Sequence, residues 1–147
     1  MKINIKLFPI VFLIPILACL ILPAAKENEV KIAANQGWQD TGVELQSGER
    51  VLIEYISGQA TDGEVAIIDG SGIDYTCGHS GCCEPMPEAR RSSLIGRVGR
   101  IDDEIFSIGN GLEITVDKKG NLFLRINDCN SGLNDNSGKL RVRITRR

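Results

Sequence analysis

The chain is poor in the residues that carry covalent and acid–base chemistry. Its one histidine, His79, stands beside Ser80 in a cysteine-rich run with no aspartate spaced to orient it, so a Ser-His-Asp arrangement has no recognisable context. Asp102 and Asp103 are the closest approach to a carboxylate pair. Neighbours on a strand point to opposite faces, and glycoside hydrolysis needs two acids that face each other. These gaps argue against an enzyme. No segment keeps a 3.6-residue apolar period for three turns, which argues against helices. No internal repeat, low-complexity tract or proline-rich linker divides the chain. With 17 basic and 19 acidic residues and no basic stripe, nucleic acid is not an expected partner.

What is present begins with Lys2 and Lys6 ahead of an apolar run over residues 7–25, broken by Pro9, Pro15 and Pro23. A charged start before an apolar core is the pattern of a secretory signal peptide, here residues 1–25 with cleavage near Ala24 or Ala25. The rival readings are a retained membrane anchor, for which the run is almost long enough, and lipidation at Cys19, against which the continued run Leu20-Ile21-Leu22 stands. The expected location is secreted or periplasmic, with membrane contact only through an uncleaved segment or a lipid on Cys19. Removing 25 of the 147 residues leaves 122, a length for one domain spanning 26–147. Loss of Lys2 and Lys6 leaves 15 basic against 19 acidic residues, a net charge of −4.

Short strand-like runs punctuated by glycine recur at 29–33, 43–45, 51–56, 65–68, 94–98, 105–108, 112–116, 123–127 and 140–145. Regular short strands with turn signals predict an all-β fold, a jelly-roll-like β-sandwich of short antiparallel strands. Only the stretch from Asp69 to Arg91 is irregular. Leu122, Leu124 and Ile126 alternate with Phe123 and Arg125, and Leu140, Val142 and Ile144 with Arg141 and Arg143, so each set of apolar residues shares an inward face. The arginines at 141, 143, 146 and 147 read as the solvated face of an edge strand, and Arg90-Arg91 as a solvated loop pair rather than an anion site. Trp38 reads as a core or sheet-edge residue, with a sugar-stacking platform as the sharper alternative.

Between the last two alternating runs lie residues 127–139, far more than a hairpin needs, and long loops in compact domains are commonly functional. The loop holds Asn127, Asp128, Asn130, Asn134, Asp135 and Asn136. Calcium takes about six to eight oxygen ligands from carboxylates, amides and carbonyls, and this composition supplies several. The same residues also serve ordinary turns. An EF-hand does not fit, because counting from Asp128 the sixth position is Leu133 and the twelfth Lys139.

The order strand, Asn127-Asp128, a short run, Asp135-Asn136-Ser137-Gly138 and strand resembles the calcium-dependent galactophilic lectin family, the PA-IL-like β-sandwich lectins. Trp38-Gln39-Asp40-Thr41-Gly42, the turn at Gly48 into Val51-Leu52-Ile53-Glu54-Tyr55, and Leu94-Ile95-Gly96-Arg97-Val98-Gly99 extend the resemblance over most of residues 26–147. It implies calcium held by Asp128, the carbonyl of Gly132, Asp135 and Asn136, with Asp135 standing where the family has asparagine. A further backbone carbonyl comes from an earlier loop, here residues 57–63, where Asp62 falls on the matching position. The resemblance further implies that the ion binds two hydroxyls of a galactose-like sugar or glycan, with Asp128, Asp135 and Asn136 bonding the same hydroxyls. The family's selectivity rests on a His-Pro-Asp-Gln segment before the central strand. This chain has none, and His79 is the residue left to stand in for it.

Four cysteines lie beyond the leader: Cys77, Cys82, Cys83 and Cys129. An even number in an exported chain reads as disulfides, with three pairings open. Adjacent Cys82 and Cys83 are poorly placed to bond each other, so one is expected on Cys77 and the other on Cys129, which would set the 77–84 segment as a rim beside the calcium loop. Zinc on Cys77, His79, Cys82 and Cys83 is the competing reading. The expected function is a secreted calcium-bridged lectin, with oligomerisation possible. The alternative is a calcium-stabilised, disulfide-bonded structural or protein-interaction domain.

Overall fold

A computed structural model of the chain describes residues 25–67 and 69–147. Residues 1–24, which hold Cys19 and all but the last residue of the expected leader, lie outside the described residues. Among the described residues nine strands follow in order: β1 Lys26–Ala33, β2 Gln39–Leu45, β3 Arg50–Asp62, β4 Val65–Ile67, β5 Leu94–Val98, β6 Ile105–Ser107, β7 Gly111–Thr115, β8 Gly120–Ile126 and β9 Ser137–Arg146. A single 3-10 turn, Leu133–Asp135, interrupts the crossover between β8 and β9. One antiparallel sheet runs β1-β9-β3-β4, with β7 on the first half of β3; the other runs β2-β8-β5-β6. The fold is a β-sandwich. No helix among the described residues is long and apolar enough to cross a membrane.

The two sheets meet because each buries one face of alternating residues. Ile32, Val51, Ile53, Val142 and Ile144 from the first pack with Leu45, Leu94, Leu122 and Leu124 from the second. Each such side chain stabilises the fold by about 1.5–3 kcal/mol on full burial. A smaller cluster of Ala34, Ala60, Ile67, Ile126 and Leu140 closes the end where β1, β3 and β8 finish and β4 and β9 begin. The turn from β1 to β2 is pinned by Gln39, whose side-chain amide accepts from the Ala33 N–H at 2.9 Å and donates to the Ala33 carbonyl at 3.0 Å.

All nine strand-like runs are strands, and the differences are informative. Residues 57–62, expected in a loop, extend β3, because Ser57 to Thr61 pair with β9 beyond a bulge at Tyr55/Ser57. Gly58 permits this. Its φ is +108°, and a Cβ there would lie 2.3 Å from the Lys139 carbonyl oxygen. The same pairing starts β9 at Ser137, so the loop after β8 covers only residues 127–136. β8 and β9 belong to different sheets, which makes that loop a crossover. β9 is no edge strand but lies between β1 and β3; Arg141 and Arg143 are solvated, both pairing with Glu29, whereas the Arg146 side chain is largely buried beside Glu49. Asp102 and Asp103 lie in a turn rather than on a strand, and Asp103 pairs with Lys118.

Gly58→Ala is expected to cost about 2 kcal/mol or more, from a strained φ and the carbonyl contact. Gly111→Ala, where the nearest atoms are 3.8 Å away, should change stability little. Urea unfolding of the two variants checks the contrast.

Candidate functional site

The end of β3, the β8–β9 crossover and the residues leading into β5 converge at one end of the sandwich. There, oxygens of Asp62, Asp128 and Asp135 all lie within 4.8 Å of one another. Asp128 is fully buried, Asp62 is 5 % exposed and Asp135 faces solvent. The Asp128 carboxylate accepts the Cys129 N–H at 2.7 Å and the Asn136 amide NH2 at 2.9 Å. Asn136 also donates to the Ala34 carbonyl at 3.3 Å, and its Oδ1 accepts the Gly63 N–H at 3.3 Å. Gly132 brings its backbone against the same carboxylate, since a Cβ there would stand 3.1 Å from Asp128 Oδ2. Five residues expected at the metal, Asp62, Asp128, Gly132, Asp135 and Asn136, are thus gathered. Asp62 contributes its side chain to the cluster, where the resemblance implied only its carbonyl.

Arg91 is the principal correction to the sequence reading. Arg90 is solvated and pairs with Asp74, but Arg91 turns inward, donating to Asp62 from Nε at 2.7 Å and from Nη2 at 3.0 Å. Nη2 also stands 3.5 Å from Asp128 Oδ1. The physical reason is charge: two carboxylates withdrawn from water require a counter-ion, and an unpaired buried charge costs several kcal/mol. The hydrogen bond to Asp62 holds the Arg91 guanidinium above its ordinary pKa, against the opposing effect of burial, and the charges of Asp62, Asp128 and Glu84 add to the rise. Ser92 also donates a short hydrogen bond to Asp62. With φ +59°, Ser92 is the one non-glycine residue in the left-handed region among the described residues. Backbone strain of that kind persists only where surroundings enforce it. Here the Asn127 carbonyl accepts the Ser92 N–H at 2.8 Å.

Asn127 is a bracket rather than a ligand. Its Oδ1 accepts the Met86 N–H at 3.0 Å, while Nδ2 donates to the carbonyls of Met86 at 2.8 Å and Arg90 at 3.2 Å. One buried side chain therefore holds the segment that delivers Arg91. Arg125, expected on a solvated face, is buried; it donates to the Asp128 carbonyl at 2.6 Å, the Ile126 carbonyl at 3.0 Å and Asn130 Oδ1 at 2.8 Å. Burial pushes its pKa down, and the Asp128 charge opposes that. Trp38 covers it: the ring centroid is 5.7 Å from Arg125 Cζ and 4.6 Å from Arg97 Cζ. The indole is thus engaged by two guanidinium groups on the outer face of its sheet.

The disulfides are Cys77–Cys82 and Cys83–Cys129. Both thiols beside His79 are consumed, which removes the thiolates that zinc would need. Two disulfides suit an oxidising compartment. The second ties the rim segment to the residue following Asp128. The polar contacts of His79 stay within its own loop, at 2.9 Å to the Ser80 carbonyl and 3.4 Å to Cys77 Sγ. Glu84, which the sequence did not single out, is 9 % exposed, lies against the Cys83–Cys129 bond, and its Oε2 has no hydrogen-bond partner. Around Arg91 gather the carboxylates of Asp62, Glu84, Asp128 and Asp135, while Arg97 adds its charge beside Arg125. Carboxylate oxygen donors suit a hard divalent cation.

No family model matches the chain, and no curated protein does. Among solved structures the chain is similar to one described as "EclA N-terminal domain; PllA-like lectin", at 26% identity and a TM-score of 0.62, covering 81% of this chain and 95% of that one. The fold is lectin-like.

Asn127→Ala is expected to lower stability by about 1–3 kcal/mol through the polar groups it strands. It should also speed amide exchange at Met86, which hydrogen-exchange mass spectrometry of that segment reads directly.

Proposed function

We propose that this protein is an exported, non-enzymatic lectin that binds carbohydrate, of the galactose type, through a calcium ion held by Asp62, Asp128, Gly132, Asp135 and Asn136. The observation that carries the reading is the meeting of three carboxylates within 4.8 Å, two of them buried, on the sandwich end formed by β3 and the crossover. An apolar core does not spend buried aspartates without a use for them, because each must be matched by charge or hydrogen bonds. The lectin described for the neighbouring structure supports carbohydrate as the ligand class, and the disulfides support export.

When bound, calcium supplies coordination positions that vicinal sugar hydroxyls can fill, because its coordination number is flexible. The chain's own residues do the rest. Asp128, immobilised by Cys129 and Asn136, fixes the floor of the site. Asp135, on the exposed side, is placed to accept a hydrogen bond from a ligand hydroxyl. Asn136 can present either its amide NH2 or its oxygen toward the cluster by a half-turn, exchanging one for the other. The Cys83–Cys129 bond limits how far the rim can move from Asp128.

Calcium is expected to raise the melting temperature of chelator-stripped protein, since a ligand at 100 times its Kd stabilises the native state by about 2.7 kcal/mol. Asp135→Ala, at an exposed position, should weaken that response, and Asp128→Asn should abolish it. Isothermal titration of calcium with and without galactose separates two roles. Calcium affinity strengthened by a sugar supports the lectin, whereas affinity indifferent to every sugar points to a structural ion in a protein-interaction domain. No calcium binding would sink the metal assignment.

A further inference from the structure

A cleft of about 330 Å³ opens between β6, at the edge of one sheet, and the end of β7 in the other. It lies at the opposite end of β3 and β8 from the carboxylate cluster, since Ile114 pairs with Val51 near the start of β3 and the β7–β8 turn leads into β8 at Gly120. The floor is apolar. Val98 and Val116 are buried, and Phe106 and Ile114 pack partly buried against the same core. Gly96 makes room for the aromatic ring, because a Cβ there would stand 2.6 Å from Phe106 Cε2. The walls are fixed by bonds that need no ligand. The Val116 N–H donates to the Glu49 carbonyl at 2.9 Å, and the Val116 carbonyl accepts the Gly48 N–H at 2.7 Å. The Ser47 hydroxyl donates to the Asp117 carbonyl at 2.8 Å, and Lys118 reaches from the β7–β8 turn to Asp103 in the β5–β6 turn at 2.5 Å. A cleft held in this way is formed before anything enters it, which lowers the ordering cost of binding.

We propose that this cleft is a ligand site separate from the carboxylate cluster, and that it takes a small organic amine, with one ring or a short hydrocarbon chain on the apolar floor and the ammonium at Glu104 and Asp117. The size sets the first limit. Small-molecule sites run from roughly 300 to 1,000 Å³, so this one has room for a single ring and little more. The charges at the mouth set the second. Lys118 is spoken for: its hydrogen bond, helped by the Arg100 N–H, holds the Asp103 carboxyl below its ordinary range. Glu104 and Asp117 are exposed, and their carboxylates form no ion pair or hydrogen bond among the described residues. Two unpaired carboxylates beside an apolar floor attract a cation that carries apolar surface and repel a carboxylate. Phe106 supplies an aromatic ring to the same cleft, a surface that favours an ammonium further.

The test is an NMR titration of the protein at low salt with phenethylamine, phenethyl alcohol and phenylacetate, read at the methyl groups of Val98, Ile114 and Val116, with and without a calcium chelator. Wild type is compared with the double variant Glu104→Gln/Asp117→Asn and with Ile114→Phe, which fills the floor, and near-ultraviolet circular dichroism confirms each fold. The amine is expected to shift those methyls and to bind about fivefold or more tightly than the alcohol, the gain that two surface charge contacts supply. Phenylacetate should bind more weakly than either. In the double variant the amine should fall to within about twofold of the alcohol, whose own affinity stays as in wild type, and Ile114→Phe should weaken both. If Ile114→Phe does not fold, the double variant decides, because both of its positions are exposed. Absence of shifts at the three methyls, equal binding of amine and alcohol to wild type, or a preference for the amine that survives in the double variant overturns the proposal. Binding lost on chelation overturns the separateness of the site. None of these outcomes bears on the calcium reading, which the calcium titration tests by itself.

Discussion

The carboxylate of Asp128 has no access to solvent, and this end of the sandwich is organised around that fact. Burying a carboxylate is tolerated only when hydrogen bonds and opposite charge replace water. Three separate parts of the chain provide them: the Cys129 N–H in the crossover, the Asn136 amide at the foot of β9, and the Arg91 guanidinium from the segment before β5. Each provider is itself held. Asn136 is fixed by Ala34 and Gly63, Cys129 by its disulfide to Cys83, and Arg91 by Asp62. One buried charge therefore links the ends of β1, β3 and β8 and the start of β9 across both sheets.

The strands were legible because period-two alternation with glycine boundaries is a direct consequence of a sheet with one buried face, and it survives any detail of tertiary structure. The same alternation says which face a residue occupies but not what covers that face. Arg125 is on the outer face, as its place in the pattern requires, yet Trp38 from the β1–β2 turn lies over it. Arg141 and Arg143 are solvated, yet their strand is central, because nothing in a strand's own pattern records how many neighbours it has. The crossover's true end was hidden for a related reason. Ser137-Gly138-Lys139 has the composition of a turn, but Gly138 can approach the Gln59 carbonyl as closely as Gly58 approaches Lys139, and this reciprocal contact carries the β3–β9 ladder three residues further than composition suggests. Arg91 could not be distinguished from Arg90 without knowing that Asp62 is buried.

The cysteines show what the irregular stretch from Asp69 to Arg91 lacks. It contributes few residues to the core clusters, so its position must come from elsewhere. Asn127 supplies polar anchorage and Cys83–Cys129 a covalent one across 46 residues, worth roughly 4 kcal/mol if loop closure in the unfolded chain is the main effect. Cys77–Cys82 closes only a short local turn. Placing Cys82 and Cys83 side by side divides these tasks between neighbouring residues, one shaping the rim and the other fastening it beside Asp128. Sequence limits the pairing to two arrangements; it is the chain's path that selects one.

Asn136 joins the proposed ion site to the rest of the fold. With its NH2 toward Asp128 it serves the carboxylate as a donor, and its oxygen is then spent on the Gly63 N–H at the β3–β4 turn. To present that oxygen to a cation, Asn136 would give up the Gly63 bond and turn its NH2 away from Asp128 and the Ala34 carbonyl. The proposed ion binding would thereby be coupled to the β3–β4 turn through one side chain, and such coupling is reciprocal: whatever ordered that turn in the ion-compatible arrangement would tighten the ion by the same factor. Gly63, with φ of +56° and an added Cβ that would lie 3.5 Å from Asp135 Oδ2, stands at this junction. The affinity of the proposed site would therefore depend on the β3–β4 turn as much as on the carboxylates.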